Sequence, residues 1–259
     1  MDLGTMTTIF SFLFGLTLGS FLNVCIYRIP RYKSIINPPS SCPECGEKIK
    51  FYDNIPVISY IFLLGKCRNC RKSISLRYPV IELISSLLST ALFIKYGLGP
   101  QYFLFFAFAA SLVIISFLDL HNQIIPDIIS LPGILVGLGI SFFLNHIYWL
   151  DSLIGIVGGG GFLFLVASIY ERLTGKEGMG GGDVKLLAMI GAWLGWQSLP
   201  LVILISSLTG ILIGGGALLL TGKGYQEKIP FGPFLAISAL ISLLSGNELA
   251  HWYYNLWRS

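Results

Sequence analysis

Residues 101–118 read QYFLFFAFAASLVIISFL, and this stretch decides the class of fold. It carries no charge, and its length matches the roughly 17–25 residues that an α-helix needs to cross a membrane. The run at 184–198 is shorter, so we expect it to lie at an edge or where the bilayer is locally thin. Eight apolar runs follow one another along the chain, at 6–27, 79–96, 101–118, 128–149, 152–170, 184–198, 200–220 and 231–247.

The composition excludes a soluble domain that carries one apolar helix. Mean hydropathy is +0.76, and 54% of the residues are hydrophobic. Only 12% are charged, about half of the roughly 25% found in soluble domains. The first run follows Asp2 without a basic segment, so it is not expected to be a cleavable signal. We therefore predict an all-α polytopic membrane protein of about eight transmembrane helices.

Basic residues divide unequally between the two sides of such a protein. Ten of the 17 lysines and arginines lie between Arg28 and Arg77, three lie near residue 180, and two lie between the last two runs. Only Lys95 and Arg258 fall on the other side. Because cytoplasmic loops carry the excess of basic residues, both termini are predicted to face outward and the 28–78 segment to be cytoplasmic. The charge thus reports topology, and we expect no nucleic-acid partner.

The segment 28–78 is the sizeable insert between predicted spans, and it contains two CxxC pairs. Two such pairs can supply four thiolates to one tetrahedral Zn²⁺. Disulfides are the alternative, but thiols stay reduced in the cytoplasm. Four sulfur ligands leave no open position, so we predict a structural zinc that compensates for the small core of this insert. The predicted ligands are Cys42, Cys45, Cys67 and Cys70.

A glycine-rich stretch, GGGDVKLL at residues 180–187, precedes an apolar helix. Glycine lets another chain approach the backbone closely, so Gly180 and Gly182 are candidate substrate-binding residues. The Asp183 carboxylate lies at the start of a membrane helix. A charge there is energetically unfavourable unless it has a function or an ionic partner. The pattern resembles the GxGD motif of intramembrane aspartyl proteases. A glycine-rich loop with a helix-capping aspartate is the alternative.

A second carboxylate is expected on the same face, at the end of the third span. Asp119 and Asp127 are the two candidates. Asp127 follows Pro126 and is predicted to be the N-cap of the next helix, which explains it without catalysis. Asp119 has no such structural reason. We therefore predict that Asp119 and Asp183 form the catalytic pair.

Polar residues in the first two spans allow two interpretations each. Asn23 forms either a hydrogen bond between helices or an amide contact with substrate. Glu82, just inside the membrane boundary, is either a functional acid or a partner of Arg77 or another base. Both are kept as candidate substrate-binding residues. The glycine run from Gly158 to Gly161 is interpreted as a face for close helix packing.

Together these motifs resemble the type IV prepilin peptidases, the leader peptidases of bacterial pilin and type II secretion systems. The resemblance covers nearly the whole chain. GxGD alone would fit other intramembrane aspartyl proteases, but those lack the four-cysteine insert. The matching segments are LGSFLNV at 18–24, the segment 39–60, CRNC at 67–70, RYPVIE at 77–82, Asp119, Pro126-Asp127, GGGDVKLL at 180–187 and FGP at 231–233.

The resemblance implies a catalytic pair at Asp119 and Asp183, on the cytoplasmic face of the bacterial inner membrane. Family members remove the basic leader of prepilins or pseudopilins after a glycine. Many then methylate the new N-terminal amine with S-adenosylmethionine. Prepilin and membrane lipid are thus the expected partners, and structural Zn²⁺ and S-adenosylmethionine the expected cofactors. The chain divides into a first helix (1–27), the zinc insert (28–78) and the helices of the protease core (79–259).

Two functions of other classes are weaker alternatives. A transporter would use Asp119, Asp183 and Glu82 along an ion path and glycine-rich helices as its gate. No internal repeat supports it, and transport does not explain the insert. A non-catalytic membrane adaptor built on the zinc insert would have no use for two aspartates on one face of the membrane.

Overall fold

The computed structural model describes residues 2–144, 147–175, 180–216 and 230–256. Within these ranges the chain is helical, and two isolated β-bridges occur in the insert. A π-helical segment, Gly210–Gly215, continues α8. The helices are α1 (Leu3–Arg28), α2 (Ile58–Phe62), α3 (Arg77–Tyr96), α4 (Pro100–Asn122), α5 (Asp127–Phe143), α6 (Trp149–Thr174), α7 (Gly181–Leu194), α8 (Leu199–Thr209) and α9 (Gly232–Leu256).

The described helices confirm an all-α polytopic membrane architecture. Two shorter apolar helices are α5 and the part of α9 at Gly232–Gly246, since α9 is kinked at Ser245, and α7 has 14 residues. The number of eight spans therefore stays a prediction. Five helical segments are long and apolar enough to cross a membrane: Gly4–Arg31, Arg77–Tyr96, Pro100–Asn122, Trp149–Thr174 and Trp196–Ile213.

Four basic residues that enter the predicted orientation lie outside the described residues. They are Lys176, Lys223, Lys228 and Arg258. The assignment of the cytoplasmic side consequently remains a prediction from charge. The chain falls into two compact units, Met1–Ile114 and Ile115–Ser259, which are described separately.

The first unit is built on close packing between α1 and α3. A methyl group added at Gly15 would lie 2.6 Å from the Ser86 Cα, and one added at Gly19 would lie 2.6 Å from the Glu82 Cα. Neither position has room for a side chain. Glycine on α1 therefore lets α3 approach to backbone contact, and this contact fixes Glu82 against the second half of α1.

The second unit is organised around α7. Every residue from 186 to 193 is buried, so this short helix presents no solvent-facing side in that stretch. Gly155 of α6 and Gly191 of α7 meet backbone to backbone, and a Cβ at Gly159 would lie 2.7 Å from the Leu187 carbonyl oxygen. Glycine packing was predicted for the 158–161 run and is confirmed at Gly159. The helix ends at Gly195, whose φ of 78° favours glycine.

Candidate active site and metal centre

Asp119 and Asp183 come together in the second unit. Asp119 lies in the last turn of α4, and Asp183 is the third residue of α7. Their exposed fractions are only 6% and 9%, and the two carboxyl groups interact electrostatically. Gly180, and not Asp183, is the N-cap residue of α7, so the capping alternative is not realised. The arrangement is a buried pair of carboxyl groups of like charge.

Each carboxyl group contacts or lies in the first turn of a helix, although Asp119 itself is in the last turn of α4. Asp183 is in the first turn of α7, and Asp119 Oδ2 accepts a 2.9 Å hydrogen bond from the backbone N–H of Gly232, the first residue of α9. The positive end of a helix dipole favours negative charge in both positions. These helix N-termini therefore favour one ionised carboxylate in the site.

Asp183 has one carboxylate oxygen with unused hydrogen-bonding capacity. Its Oδ1 atom is buried and has no hydrogen-bond partner among the described residues. A buried carboxylate oxygen without a partner is costly, and such groups mark sites where a proton or a reacting molecule is expected. This oxygen is suited to bind a water molecule or to share a proton with its neighbour.

Ile125 is a residue that sequence reasoning missed. It lies in the loop between α4 and α5 and contacts the backbone at two glycines. A Cβ on Gly182 would lie 2.8 Å from the Ile125 Cβ, and a Cβ on Gly232 would lie 3.3 Å from its Cδ1 and 2.6 Å from Asp119 Oδ2. Ile125 thus packs against the residues that position both carboxyl groups. Nothing local in the sequence indicates this role, because the partners are distant along the chain.

The two glycines of the GxGD pattern have different surroundings. Gly182 has no room for a side chain beside Ile125, whereas a Cβ on Gly180 would have only ordinary contacts, the Asp183 Oδ2 atom being 4.0 Å away. The space beside Gly180 therefore adjoins the Asp183 carboxylate. A side chain there would occupy volume through which another backbone can approach the acid.

Asp127 is not the helix cap that the sequence predicted. Pro126 is the N-cap of α5, and no side-chain capping hydrogen bond is present. Asp127 Oδ1 instead accepts a 2.7 Å hydrogen bond from Lys185 Nζ in an exposed ion pair. The prediction was wrong because a basic residue one turn into α7 lies within reach, and an ion pair replaces the capping contact.

The four cysteines of the insert form one cluster in the first unit. Their sulfur atoms all lie within 4.8 Å of one another, and the sulfurs of Cys42 and Cys70 are 3.8 Å apart. A disulfide needs about 2.05 Å, whereas tetrahedral ligands with metal–sulfur bonds of about 2.3 Å lie about 3.8 Å apart. The residues therefore fit a metal held by four thiolates.

The two CxxC pairs sit on similar turns. Each turn is closed by one β-bridge, Ser41 with Lys48 and Lys66 with Ser73. Backbone hydrogen bonds from Cys70 and Asn69 lower the pKa of the Cys67 thiol to about 7. Such turns aim backbone N–H groups at sulfur, which favours the thiolate that a metal requires.

An ion pair ties the second turn of the cluster to the preceding loop. Arg68 donates two hydrogen bonds to Asp53, of 2.8 and 2.6 Å. The hydrogen bond from Arg68 lowers the pKa of Asp53 below its ordinary value. Two parallel hydrogen bonds fix the relative orientation of the two side chains as well as their distance. The ion pair therefore fixes the position of the loop relative to the cluster.

Asn23 and Glu82 lie in the first unit, where both are buried. Asn23 donates to the carbonyl of Tyr78 at 3.1 Å, which is the hydrogen bond between helices that the sequence left open. Glu82 accepts a 2.7 Å hydrogen bond from the Val57 N–H. Neither Arg77 nor any other described base forms an ion pair with Glu82.

Comparisons with known proteins define the class to which this fold and site belong. The bacterial peptidase A24 N-terminal domain matches residues 13–96, and the type IV leader peptidase family matches residues 106–215. The chain belongs to the type IV leader peptidase family. No solved structure matches it.

Similar proteins extend the match over most of the chain. A prepilin leader peptidase/N-methyltransferase of Aeromonas hydrophila is 40% identical over 266 residues, covering 93% of this chain and 92% of the relative. Proteins of the same name are 39% identical in Pseudomonas aeruginosa, covering 93% and 91%, and 38% identical in Pseudomonas putida, covering 91% and 89%. The similarity therefore includes the insert and both aspartates.

Proposed function

We propose that this chain is a membrane aspartyl endopeptidase that removes the basic leader of type IV prepilins or type II secretion pseudopilins after a glycine, and then methylates the new N-terminal amine. Its family and the names of its relatives support both activities. The observation that carries the peptidase is the buried pair of Asp119 and Asp183, with one Asp183 oxygen lacking a partner among the described residues.

The pair explains hydrolysis without a covalent enzyme intermediate. Two carboxyl groups held close do not both ionise easily, so one keeps a proton while the other takes one from water. The ionised group activates that water against the scissile carbonyl. The protonated group polarises the carbonyl oxygen and later supplies a proton to the leaving amine. Either aspartate can begin in either role.

Glycine at position 180 supports an approach of the substrate backbone to this pair. The space beside it adjoins Asp183 Oδ2, and no side chain fills it from Gly180 itself. We assign Gly180 to substrate approach. Gly182 acts instead through its packing against Ile125, so its contribution to substrate binding is indirect.

The site is proposed to face the cytoplasm of a bacterium, in the inner membrane. The 15 to 2 division of basic residues between the two sides supports this orientation. A basic leader peptide would remain on that side because positively charged segments are retained there. Prepilin and membrane lipid are the partners that follow.

The metal of the four-cysteine cluster is proposed to be zinc in a structural role. Four thiolates at tetrahedral spacing suit Zn²⁺, and they leave no coordination position open for catalysis. Cys42, Cys45, Cys67 and Cys70 would hold it. Its binding would supply folding free energy to an insert that has little apolar core.

Methylation is assigned to the first half of the chain, residues 1–27 with the insert at 28–78 and the start of α3. Peptide hydrolysis has no evident use for the buried polar groups there, among them Asn23 and Glu82. S-adenosylmethionine supplies the methyl group. Glu82 is proposed to orient the new N-terminal amine or to accept its proton, directly or through water. Asn23 contributes by joining α1 to α3.

The experiment combines both activities in one reaction. Purified full-length protein in detergent is mixed with a prepilin and isotopically labelled S-adenosylmethionine. We expect a shortened pilin that carries label at its new N-terminus. The control is a prepilin in which the glycine before the cleavage site is replaced, which should remain full-length. A folded protein that leaves the normal prepilin intact would overturn the proposed peptidase.

A further inference from the structure

A group of exposed apolar side chains lies in the insert, in the segment 58–64. This segment, which we call the apolar turn, consists of the short helix α2 and the two residues that follow it. The exposed fractions of Ile61, Phe62 and Leu64 are 64%, 82% and 83%. Single exposed apolar residues are ordinary on a protein surface, but three large ones within four consecutive positions form a patch that indicates a contact surface.

The apolar turn lies beside the first turns of α3. The carbonyl of Gly65, the residue after the turn, accepts a 2.7 Å hydrogen bond from the N–H of Ile74. Before the turn, the N–H of Val57 donates a 2.7 Å hydrogen bond to Glu82. Glu82 lies five positions after Arg77, the first residue of α3, which is about 7.5 Å along the helix axis. Both ends of the turn are therefore joined to the region where this membrane-spanning helix begins.

Contacts within the insert determine which side of the turn is exposed. Ser59 is buried, and its hydroxyl donates a 3.0 Å hydrogen bond to the Tyr52 carbonyl on the inner side. Val57 and Leu64, at the two ends of the turn, have φ values of 60° and 52°, which residues other than glycine rarely adopt. Strained residues of this kind persist where the surroundings require one geometry. The apolar side chains are thus held outward by the fold of the insert.

Basic residues follow the apolar turn. Between Asp53 and Glu82 the chain contains five basic residues and no acidic one. Three of them, Lys66, Arg71 and Lys72, are exposed and form no ion pair within the described part of the chain. The β-bridge that Lys66 forms closes the second cysteine turn and keeps these three residues close together. Exposed apolar side chains beside basic ones are typical of segments that bind at the interface of an anionic membrane.

We propose that the apolar turn is an interfacial membrane anchor. Its exposed side chains enter the boundary between headgroups and acyl chains of the bilayer that α3 spans, and the three basic residues contact anionic phospholipid headgroups. Interfacial segments bury their apolar face about 5–10 Å into this boundary, which matches the length of α3 to which the turn is joined. The second cysteine turn begins at Cys67, directly after the anchor. The anchor therefore holds the four-cysteine cluster near the membrane surface, in addition to the attachments through α1 and α3.

The role of the basic residues is tested in vesicles of two compositions. Lys66→Gln, Arg71→Gln and Lys72→Gln are combined in one full-length protein that carries the photo-cross-linker benzoylphenylalanine at position 62. In vesicles that contain phosphatidylglycerol, the lipid adduct should fall about threefold relative to the parent with the same probe, because the attraction to anionic headgroups is lost. In vesicles of phosphatidylcholine alone, the two proteins should be labelled equally. Unchanged labelling in the anionic vesicles, or an equal fall in both kinds, would overturn the assignment to anionic lipid.

The position of the probe tests the anchor itself. In vesicles of phosphatidylethanolamine and phosphatidylglycerol, benzoylphenylalanine at Phe62 should form about fivefold more lipid adduct than the same probe at Glu47, an exposed position beside the first cysteine turn. Mass spectrometry of the labelled peptides measures both. The probe should not disturb packing, because Phe62 is 82% exposed. Lipid labelling at position 62 no greater than at position 47, or an adduct with a second protein chain in place of lipid, would overturn the proposal.

Discussion

At the residue scale, the geometry of the active site depends on an apolar side chain that carries no chemistry. Ile125 packs against Gly182 and Gly232, the neighbours of the two aspartates. Because protein interiors are close-packed, an added side chain in this region would displace its neighbours, including the two aspartates. The GxGD glycine therefore acts by allowing contact with Ile125, and the first glycine acts by leaving space beside Asp183.

A pair of adjacent glycines tests this account. Gly182→Ala would place a Cβ 2.8 Å from the Ile125 Cβ, whereas a Cβ on Gly181 meets nothing within 4 Å. Displacement of catalytic groups by about 1 Å can cost about 100-fold in rate, so Gly182→Ala should lose about that much cleavage. Gly181→Ala should cleave like wild type. Equal rates for the two variants in a prepilin cleavage assay would contradict the role of Ile125.

Sequence reasoning located the acids better than their surroundings. Asp119 and Asp183 could be selected because a carboxylate at the end of a membrane helix is energetically unfavourable unless it has a function or a partner. Asp127 was set aside because helix capping explained it. The predicted capping role of Asp127 was wrong, since Asp127 forms an ion pair with Lys185 instead. The roles of Ile125 and of the Gly232 N–H depend on contacts between residues that are 57 to 113 positions apart in the chain. The periodicity of apolar residues in the sequence does not indicate contacts between residues so far apart.

The Asp127–Lys185 pair connects the start of α5 to the first turns of α7. Both side chains are exposed, and exposed ion pairs contribute about 0–1 kcal/mol to stability. Asp127→Asn should therefore lower the free energy of unfolding by at most about 1 kcal/mol and retain most of the cleavage activity. Prepilin cleavage and thermal unfolding measure both effects. Complete loss of activity in Asp127→Asn, together with an active Asp119→Asn, would make Asp127, not Asp119, the partner of Asp183.

At the element scale, two kinds of close contact replace a large soluble core: sulfur ligands in the insert and glycine faces between helices. The CxxC spacing predicted the cluster, because two pairs of cysteines on tight turns have few other geometries. The glycine run predicted a packing face, but only the structure shows that Gly155 meets Gly191 backbone to backbone. Which glycine faces a neighbour depends on the rotation of the helix, which an apolar sequence leaves open.

Metal content tests the cluster directly. Wild-type protein should contain about one zinc per chain by elemental analysis, because four thiolates fit one tetrahedral ion. Cys42→Ser should lose it, since three thiolates bind far more weakly. Cys25→Ser is the control, because Cys25 is buried in α1 and is not part of the cluster. Metal-free wild-type protein, or a disulfide in material prepared under reducing conditions, would refute the zinc centre.

Helix packing around α7 can be tested with alanine. At Gly155 an added Cβ overlaps the Gly191 carbonyl, whereas at Gly161 of the same helix it meets nothing within 4 Å. Overpacking costs about 1–3 kcal/mol, so Gly155→Ala should lower the midpoint of thermal unfolding in detergent by several degrees. Gly161→Ala should be neutral or stabilise the helix by up to about 1 kcal/mol. A Gly155→Ala variant as stable as wild type would contradict the tight α6–α7 contact.

At the scale of the whole molecule, we propose that two chemistries divide over one chain. The second unit contains the pair of aspartates, and the first contains the four-cysteine cluster and Glu82. Composition and the charge pattern predicted the membrane class, because hydropathy and the distribution of basic residues act over the full length of the chain. The division of labour follows from the chemistry each set of residues can perform. Hydrolysis needs two acids and water, and methyl transfer needs a donor and a neutral amine.

The central claim is that Asp119 and Asp183 together perform the cleavage, and Asp→Asn substitution tests it most directly. Asp119→Asn and Asp183→Asn are each incubated with a prepilin, and in parallel with pre-cleaved pilin and labelled S-adenosylmethionine. Each variant should insert normally and lose cleavage by a factor of about 10⁴ or more, because neither acid nor base can be spared. Methylation of the pre-cleaved pilin should persist. A folded variant of either aspartate that still removes the leader at a rate near that of wild type would contradict the account.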